Sequence, residues 1–276
     1  MIKFENTEVM GWEAAIRGMR NPMNSWDRSD SGQGCSVDFV DRRCVDCDRY
    51  DNEYEYGFCR HGKYVIGPND YDLMRRLSAG GPVHAKYRRM ITVYVDITAP
   101  LYWWKEFDTY KVATVANSCS TMHKIHARKF TLEDFSCEHL FDRYGDPSMN
   151  LNYGGKHPID MMYDLIRTLN HFRHWYLETK DKKYWWQMIQ LLPSSYNQKR
   201  TVMMNYEVLA NIYKSRRDHK LDEWAEHKAE MIDVTTSEDL VNGNHRPHLV
   251  EGVKEYFGFC DWIKTLPYSE LIIGKE

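Results

Sequence analysis

The stretch MITVYVDITAP at residues 90–100 contains the clearest secondary-structure signal in the chain. Branched apolar residues alternate there with polar or aromatic residues, and this period of two predicts a β-strand with one buried face. Because proline lacks the N–H that a neighbouring strand would bind, the strand should end at Pro100. The residues expected on the buried face are Ile91, Val93, Val95 and Ile97.

Helical periodicity is found on both sides of this strand. Apolar residues recur at helical spacing in six segments, the second of which runs from a capping Asn69 to the stop signal Gly80-Gly81-Pro82. Because strands and helices do not alternate regularly, the pattern favours an α+β fold over a doubly wound one. The predicted helices cover residues 11–20, 69–79, 101–111, 159–176, 201–216 and 221–232.

The overall composition narrows the class of protein. The 276 residues include 37 basic and 40 acidic side chains, and this balance argues against a dedicated nucleic-acid binder. No apolar run approaches the roughly 18 residues of a membrane helix, and the N-terminus MIKFEN lacks a secretory signal, so we expect no membrane partner. Seven cysteines exclude complete disulfide pairing, which favours a cytoplasmic location.

The segment that follows the strand carries most of the chemical information. An aromatic helical run leads into the hydroxyl-rich residues 116–121, whose backbone N–H groups and hydroxyls could cradle a phosphate beside Lys111. On pattern alone, an ordinary polar surface loop is the more common explanation.

Residues 84–123 contain a series of residues at defined spacing. His84 lies fifteen residues before Ala99-Pro100, and Lys105-Glu106-Phe107, Thr109-Tyr110-Lys111 and then Thr114, Asn117 and Ser120 follow. This spacing resembles that of the flavin-dependent thymidylate synthases, which have a histidine at the first position, Arg-Gln-Trp at the second and RHR at the third. The rest of the family signature is matched by the last three residues, with one added residue.

A second block of residues agrees with the same family. Leu192-Pro193 is followed twelve residues later by Asn205, where the family has N-A-R-x-L, and Arg216 lies eleven residues past Asn205. Both spacings hold without a gap. The resemblance covers most of residues 1–235 apart from a Cys-rich insertion at 35–61, and residues 236–276 form a C-terminal extension.

The resemblance implies both a fold and a reaction. The fold would be an α+β domain in which an antiparallel sheet is flanked by long helices. The reaction would be reductive C5 methylation of dUMP or a related pyrimidine deoxynucleotide, with FAD as cofactor and with NADPH and methylenetetrahydrofolate as co-substrates. The family assembles its site between subunits of a homotetramer, so a homo-oligomer that binds a small nucleotide is expected.

The resemblance also implies roles for individual residues. Contacts with the cofactor would come from His84, Thr109, Tyr110, Lys111, Thr114, Asn117 and Asn205. Contacts with the nucleotide would come from Ser118, Ser120 and Arg216, and the catalytic group would consist of Lys111, Ser120 and Arg216.

The departures from the family concern its arginines. Only Lys111 remains basic in the RHR-like block, and Glu207 replaces the arginine that contacts the nucleotide in the family. If residues 201–216 are one helix, Asn205 and Arg216 share a face, and Glu207 faces another subunit or another ligand. Two alternatives follow, namely a non-catalytic nucleotide- or partner-binding protein that retains the fold, and a flavoprotein with other chemistry.

The insertion contains a candidate metal site. Cys44 and Cys47 form a C-x-x-C pair, with Cys35 nine residues before it and Cys59 twelve residues after it. Four thiolates can form a closed tetrahedral zinc site with a structural role. Unpaired thiols or a redox pair are the alternatives.

The zinc interpretation predicts stoichiometric metal in the purified protein. Replacing two ligands, Cys44→Ser with Cys47→Ser, should abolish zinc binding because a structural site needs all four ligands. Metal analysis of both proteins measures this, and zinc content that is unaffected by the double change would refute the interpretation.

Overall fold

A computed structural model describes residues 2–33, 64–141, 156–227, 231–233, 249–251 and 256–274. The Cys-rich insertion, with Cys35, Cys44, Cys47 and Cys59, lies outside these residues. The helices in the described ranges are α1 (Trp12–Arg20), α2 (Pro68–Ala79), α3 (Leu101–Phe107), α4 (Pro158–Thr179), α5 (Lys182–Leu191), α6 (Tyr206–Arg216), α7 (Phe259–Lys264) and α8 (Glu270–Ile273). In this part of the chain, no helix is both long and apolar enough to cross a membrane.

The strands form one larger sheet and two small ones. They are β1 (Lys3–Met10), β2 (Gly32–Gln33), β3 (Tyr64–Val65), β4 (Thr92–Pro100), β5 (Val115–Ser118), β6 (Asn197–Asn205), β7 (Met231–Asp233) and β8 (Leu249–Glu251). The four-stranded sheet has the order β1-β4-β6-β5, and β5 runs antiparallel to β6 with Asn117 opposite Thr201. The pairs β2-β3 and β7-β8 are also antiparallel. The predicted α+β class is therefore confirmed.

Strand β4 agrees with the prediction from residues 90–100. The four branched apolar residues of the predicted face are completely buried, three of them in β4 and Ile91 directly before it, and α3 begins directly after Pro100. The helices predicted at 11–20, 69–79 and 159–176 correspond to α1, α2 and α4. Helix α3 ends at Phe107 and not at residue 111, because Thr109 donates its Oγ1 hydrogen to the Glu106 carbonyl oxygen at 2.7 Å and closes the last turn.

Three other expectations are wrong. Residues 201–205 belong to β6, so the helix predicted at 201–216 begins only at Tyr206 and the argument that Asn205 shares a helix face with Arg216 fails. Residues 116–118 of the expected loop at 116–121 belong to the edge strand β5. Residues 221–227 form turns, not a helix, and residues 231–233 form β7.

The chain forms two compact units. The first consists of Met1–Thr7, Tyr94–Met203 and Ser215–Trp262, and the second of Glu8–Val93, Met204–Lys214 and Ile263–Glu276. Each unit contains its own buried residues, and the C-terminal segment contributes to both: Phe259 and Cys260 are buried in the first, Ile263 and Leu271 in the second.

An aromatic cluster forms the centre of the first unit. Trp103 stacks on Trp224 with ring centroids 4.4 Å apart and on Phe107 at 5.1 Å. Trp104 contacts Trp103 edge-on at 4.8 Å, and Phe259 lies 5.7 Å from the same ring. Because aromatic side chains bury large apolar areas, this cluster is a major source of stability. It joins α3, α7 and the turn at residues 221–224.

A second apolar cluster in the first unit supports the helical hairpin of α4 and α5. Leu169 and Met188 are completely buried at the contact between these helices. Phe130 and Phe135 pack against them from the segment that precedes α4, and their rings lie 6.5 Å apart. The long amphipathic helix predicted from the sequence therefore buries its apolar face in this cluster.

The second unit depends on a buried carboxylate. The completely buried Asp70 accepts a hydrogen bond from Arg20 Nε at 2.6 Å and others from the Ser29 and Ser31 hydroxyls at 2.8 and 2.6 Å. Backbone N–H groups of Asp30 and Ser31 complete the set. Burial alone would raise the pKa of Asp70, but these hydrogen bonds outweigh it and lower the pKa below its ordinary value.

Asp70→Asn should destabilise the second unit by about 3 kcal/mol, because it leaves the buried Arg20 guanidinium without its charged partner. Since the folded-state pKa of Asp70 lies below the unfolded-state value, its contribution is complete above pH 4 and is lost as the pH falls through the folded-state value. Urea unfolding at pH 7 and at pH 3 measures both effects. A difference between wild type and variant that is equal at the two pH values would contradict this account.

Candidate functional site

A groove of about 280 Å³ in the first unit lies beside the end of α3. Its lining residues are Phe107, Asp108, Tyr110, Lys111, Thr114 and Ala116. Four of the six lie within residues 109–120, and the other two, Phe107 and Asp108, directly precede them, so this segment forms most of a concave surface. Its volume lies just below the range of about 300–1,000 Å³ that is usual for small-molecule sites.

The local backbone explains the shape of this groove. Phe107 is buried in the aromatic cluster, which fixes the end of α3, and the Tyr110 N–H donates to the Phe107 carbonyl oxygen at 2.9 Å. Ala113 then adopts the left-handed region with φ 58°, which turns the chain into β5.

Arg216 reaches this region from the last turn of α6. Its Nε donates to the Tyr110 hydroxyl at 2.9 Å and its Nη1 donates to Glu106 Oε2 at 2.5 Å. The guanidinium carbon lies 5.0 Å from the centre of the Trp224 ring, within the range of a cation–π contact. The side chain is 19% exposed, so part of it remains accessible to solvent.

His219 completes the surroundings of Arg216. Its Nε2 lies 2.9 Å from Arg216 Nη1 and 3.5 Å from Glu106 Oε2. Its Nδ1 accepts a hydrogen bond from the Leu221 N–H at 3.1 Å. Arg216 Nη1 is therefore contacted by both a carboxylate oxygen and an imidazole nitrogen.

A second arginine neutralises the acidic residue of the groove. Arg200, on β6, donates from Nη1 to Asp108 Oδ1 at 2.7 Å, and its guanidinium lies 4.1 Å from the centre of the Trp104 ring. Among the described lining residues, Lys111 is the cationic one, and its side chain is exposed.

Thr114, which lines this groove, has a hydroxyl with unsatisfied hydrogen-bonding capacity. Its Oγ1 is buried and has no hydrogen-bond partner among the described residues. A buried hydroxyl in this state destabilises the protein by about 1–3 kcal/mol unless a ligand or water satisfies it.

The remaining predicted residues of the segment lie outside the groove lining. Asn117 and Ser118 are exposed on the edge strand β5. The Ser120 hydroxyl accepts hydrogen bonds from the N–H groups of Met122 and His123 at 3.3 and 2.9 Å, so it stabilises a local turn. The Thr109 hydroxyl is used to end α3.

Two predicted cofactor-binding residues belong to the second unit. His84 is exposed after the end of α2. Asn205 is 7% exposed, and both ends of its amide are used within the fold, because Oδ1 accepts from the Val208 N–H at 3.0 Å and Nδ2 donates to the Arg89 carbonyl oxygen at 3.4 Å. Its geometry is that of a helix N-cap.

Glu207 does not face a partner as predicted from helical angles. The residue is 8% exposed in the first turn of α6, and its Oε2 lies 3.8 Å from Nη1 of the buried Arg88. The angular argument was wrong because Asn205 is the last residue of a strand, which removes the common helical frame.

The sequence interpretation missed four residues around the groove: Glu106 and His219 as partners of Arg216, Trp224 as its aromatic platform, and Arg200 as the partner of Asp108. The Arg216–Glu106 and Arg200–Asp108 pairs join residues 110 and 92 positions apart, whereas His219 and Trp224 lie three and eight positions from Arg216. Sequence spacing carried no signal for them. In the described part of the chain, no three His, Cys, Asp or Glu side chains are grouped so that they could hold a metal ion.

Comparison with known proteins bears on the fold. No family model matches the chain, and no curated protein matches it by sequence. Two solved structures of thymidylate synthase X, ThyX, from Helicobacter pylori with FAD and dUMP match 98% of this chain and 96% of their own, at 13% identity and TM-scores of 0.51 and 0.52. The UMP/dUMP methylase PolB from Streptomyces cacaoi matches 80% of this chain and 79% of its own, at 13% identity and a TM-score of 0.45, which is too low to support an argument.

The chain therefore has the fold of a flavin-dependent thymidylate synthase. The match extends over almost the whole length of both chains, in agreement with the expectation from the spacing of the two sequence blocks.

Thr114→Val should raise the free energy of unfolding by about 1 kcal/mol, because it removes a buried hydroxyl without a partner and keeps the shape of the side chain. Thr201→Val is the matched control, since the Thr201 hydroxyl donates to Asp96 Oδ1 at 2.6 Å, and it should lower the free energy by a similar amount. Urea unfolding of both variants and of the wild type measures whether each change raises or lowers the free energy of unfolding. Destabilisation by Thr114→Val would show that its hydroxyl is satisfied.

Proposed function

We propose that this protein is a flavin-dependent enzyme that methylates C5 of a pyrimidine nucleotide, dUMP or a close relative. The observation that supports this proposal is the convergence of two distant sequence blocks on one site. Arg216, from the second block, donates to Tyr110 in the first block at 2.9 Å. The blocks were matched to the family separately, so their contact within one unit supports a common ligand.

The groups around the groove suit an anionic, planar ligand. Lys111 offers an exposed cation, and Arg216 offers a guanidinium edge that can bind phosphate oxygens. Phe107 and Tyr110 supply aromatic walls, against which a pyrimidine or flavin ring can stack. The unmet Thr114 hydroxyl is a donor and an acceptor for such a ligand.

The residues fit part of an FAD molecule. A groove of about 280 Å³ accommodates one ring system but not a whole dinucleotide, so the rest of the cofactor would be held elsewhere. Lys111 and Thr114 would hold the part that lies in this groove. Reduced flavin supplies a hydride when bound. A second copy of the chain would supply the remaining walls, which agrees with a homo-oligomer, and NADPH and methylenetetrahydrofolate would act as co-substrates.

Purified protein should bind added FAD, with shifted flavin absorption bands, and should release tritium from [5-³H]dUMP when both co-substrates are present. Arg216→Ala should reduce the release about 100-fold, because it removes charge-assisted hydrogen bonds to the phosphate. Arg217→Ala is the matched control, since Arg217 is half-exposed and contacts Asp218, and it should retain activity.

The other possible results separate the alternatives. Bound FAD without tritium release would indicate a flavoprotein with different chemistry. Binding of dUMP without bound FAD would indicate a non-catalytic nucleotide-binding protein. Binding of neither ligand would refute the proposal.

A further inference from the structure

The hydrogen bonds of Arg216 leave only part of its guanidinium accessible. A guanidinium binds a phosphate most strongly when two parallel N–H groups on one edge donate to two oxygens. The Nε donor of Arg216 is used by Tyr110, and Nη1 is used by Glu106. A phosphate that binds Nη1 together with Nη2 therefore has to displace the Glu106 carboxylate.

Glu106 lies beside the Arg216 guanidinium and the His219 ring. Its Oε2 lies 2.5 Å from Arg216 Nη1 and 3.5 Å from His219 Nε2. The hydrogen bond to this oxygen comes from Arg216. A phosphate oxygen in the place of Glu106 Oε2 would therefore meet the Arg216 Nη1 donor, with the His219 ring beside it.

The surroundings permit Glu106 to move and hold Arg216 still. The Glu106 side chain is 35% exposed in the last turn of α3, so its carboxylate can rotate toward solvent. Arg216 is held by the Tyr110 hydroxyl and by the completely buried Trp224, which do not depend on Glu106.

We infer that Glu106 fills a phosphate subsite at the Arg216 guanidinium in the ligand-free protein and is displaced when a phosphate group binds. Glu106 would then be a specificity-determining residue, because a ligand can bind here only if its anionic group binds Arg216 more strongly than the Glu106 carboxylate does. A phosphate dianion meets this condition, whereas an uncharged nucleoside does not. The identity of the ligand as a nucleotide rests on the proposed function, whereas the competition between Glu106 and a phosphate group does not.

The competing explanation is that Glu106 is an ordinary ion-pair partner that orients Arg216 for the ligand. The two explanations predict opposite changes in phosphate affinity when the charge of Glu106 is removed. Glu106→Gln keeps an oxygen that can accept from Arg216 Nη1 but removes the negative charge, so it preserves orientation and abolishes competition. Glu106→Ala removes both, and serves as a second variant.

The test is a calorimetric titration of dUMP, deoxyuridine and inorganic phosphate into the full-length wild type and each variant, with urea unfolding to verify folding. Glu13→Gln is the matched control, because it removes one exposed carboxylate of the second unit and changes the net charge equally. Glu106→Gln should tighten dUMP and phosphate binding about tenfold relative to Glu13→Gln. The affinity for deoxyuridine should not change, and Glu106→Ala should shift phosphate affinity in the same direction.

Unchanged or weaker binding of phosphate by Glu106→Gln, relative to the control, would overturn the inference and show that Glu106 orients Arg216. A gain for phosphate without any binding of dUMP would support the inference and refute the proposed function. Equal gains for dUMP and deoxyuridine would also overturn it, because the effect would then not involve the phosphate.

Discussion

The stacking of Trp103 on Trp224 is the contact on which the first unit depends. The two rings lie 4.4 Å apart, both residues are completely buried, and neither indole N–H has a hydrogen-bond partner among the described residues. Two buried N–H donors without partners destabilise the fold, so the free energy gained by burying the apolar area of these rings must exceed that cost. The high aromatic content of the sequence, 14%, is concentrated in part in this cluster.

The same stacking positions the candidate site. Trp224 presents one ring face to the core and supports the Arg216 guanidinium at 5.0 Å, so the core and the site share a side chain. Phe107 ends α3 inside the cluster and thereby fixes the chain at Tyr110 and Lys111. The groove therefore has one rigid wall on α3 and one edge on β5.

Clean periodicity explains which parts of the fold could be predicted. Residues 90–100 alternate strictly and α4 keeps one apolar stripe, so both were found from sequence. Strand β5 was missed because all four residues of this edge strand are exposed, which leaves no apolar alternation. The start of α6 was misplaced because apolar residues occur on both sides of Asn205, so the end of β6 was included in the helical pattern. Family spacing placed Tyr110, Lys111 and Arg216 near one site, but spacing says nothing about side-chain partners such as His219.

The charges around the groove are compensated in pairs. Arg200 is matched by Asp108 and Arg216 by Glu106, with donor–acceptor distances of 2.7 and 2.5 Å. Arginines from β6 and α6 thus stand beside a segment in which Lys111 is the basic residue, but each arginine is paired with an acidic side chain of the protein. The groove consequently carries little net positive charge, apart from Lys111. For the proposed anionic ligand, long-range attraction should therefore be weak, and its recognition would depend on the exchange of short hydrogen bonds at the guanidinium groups.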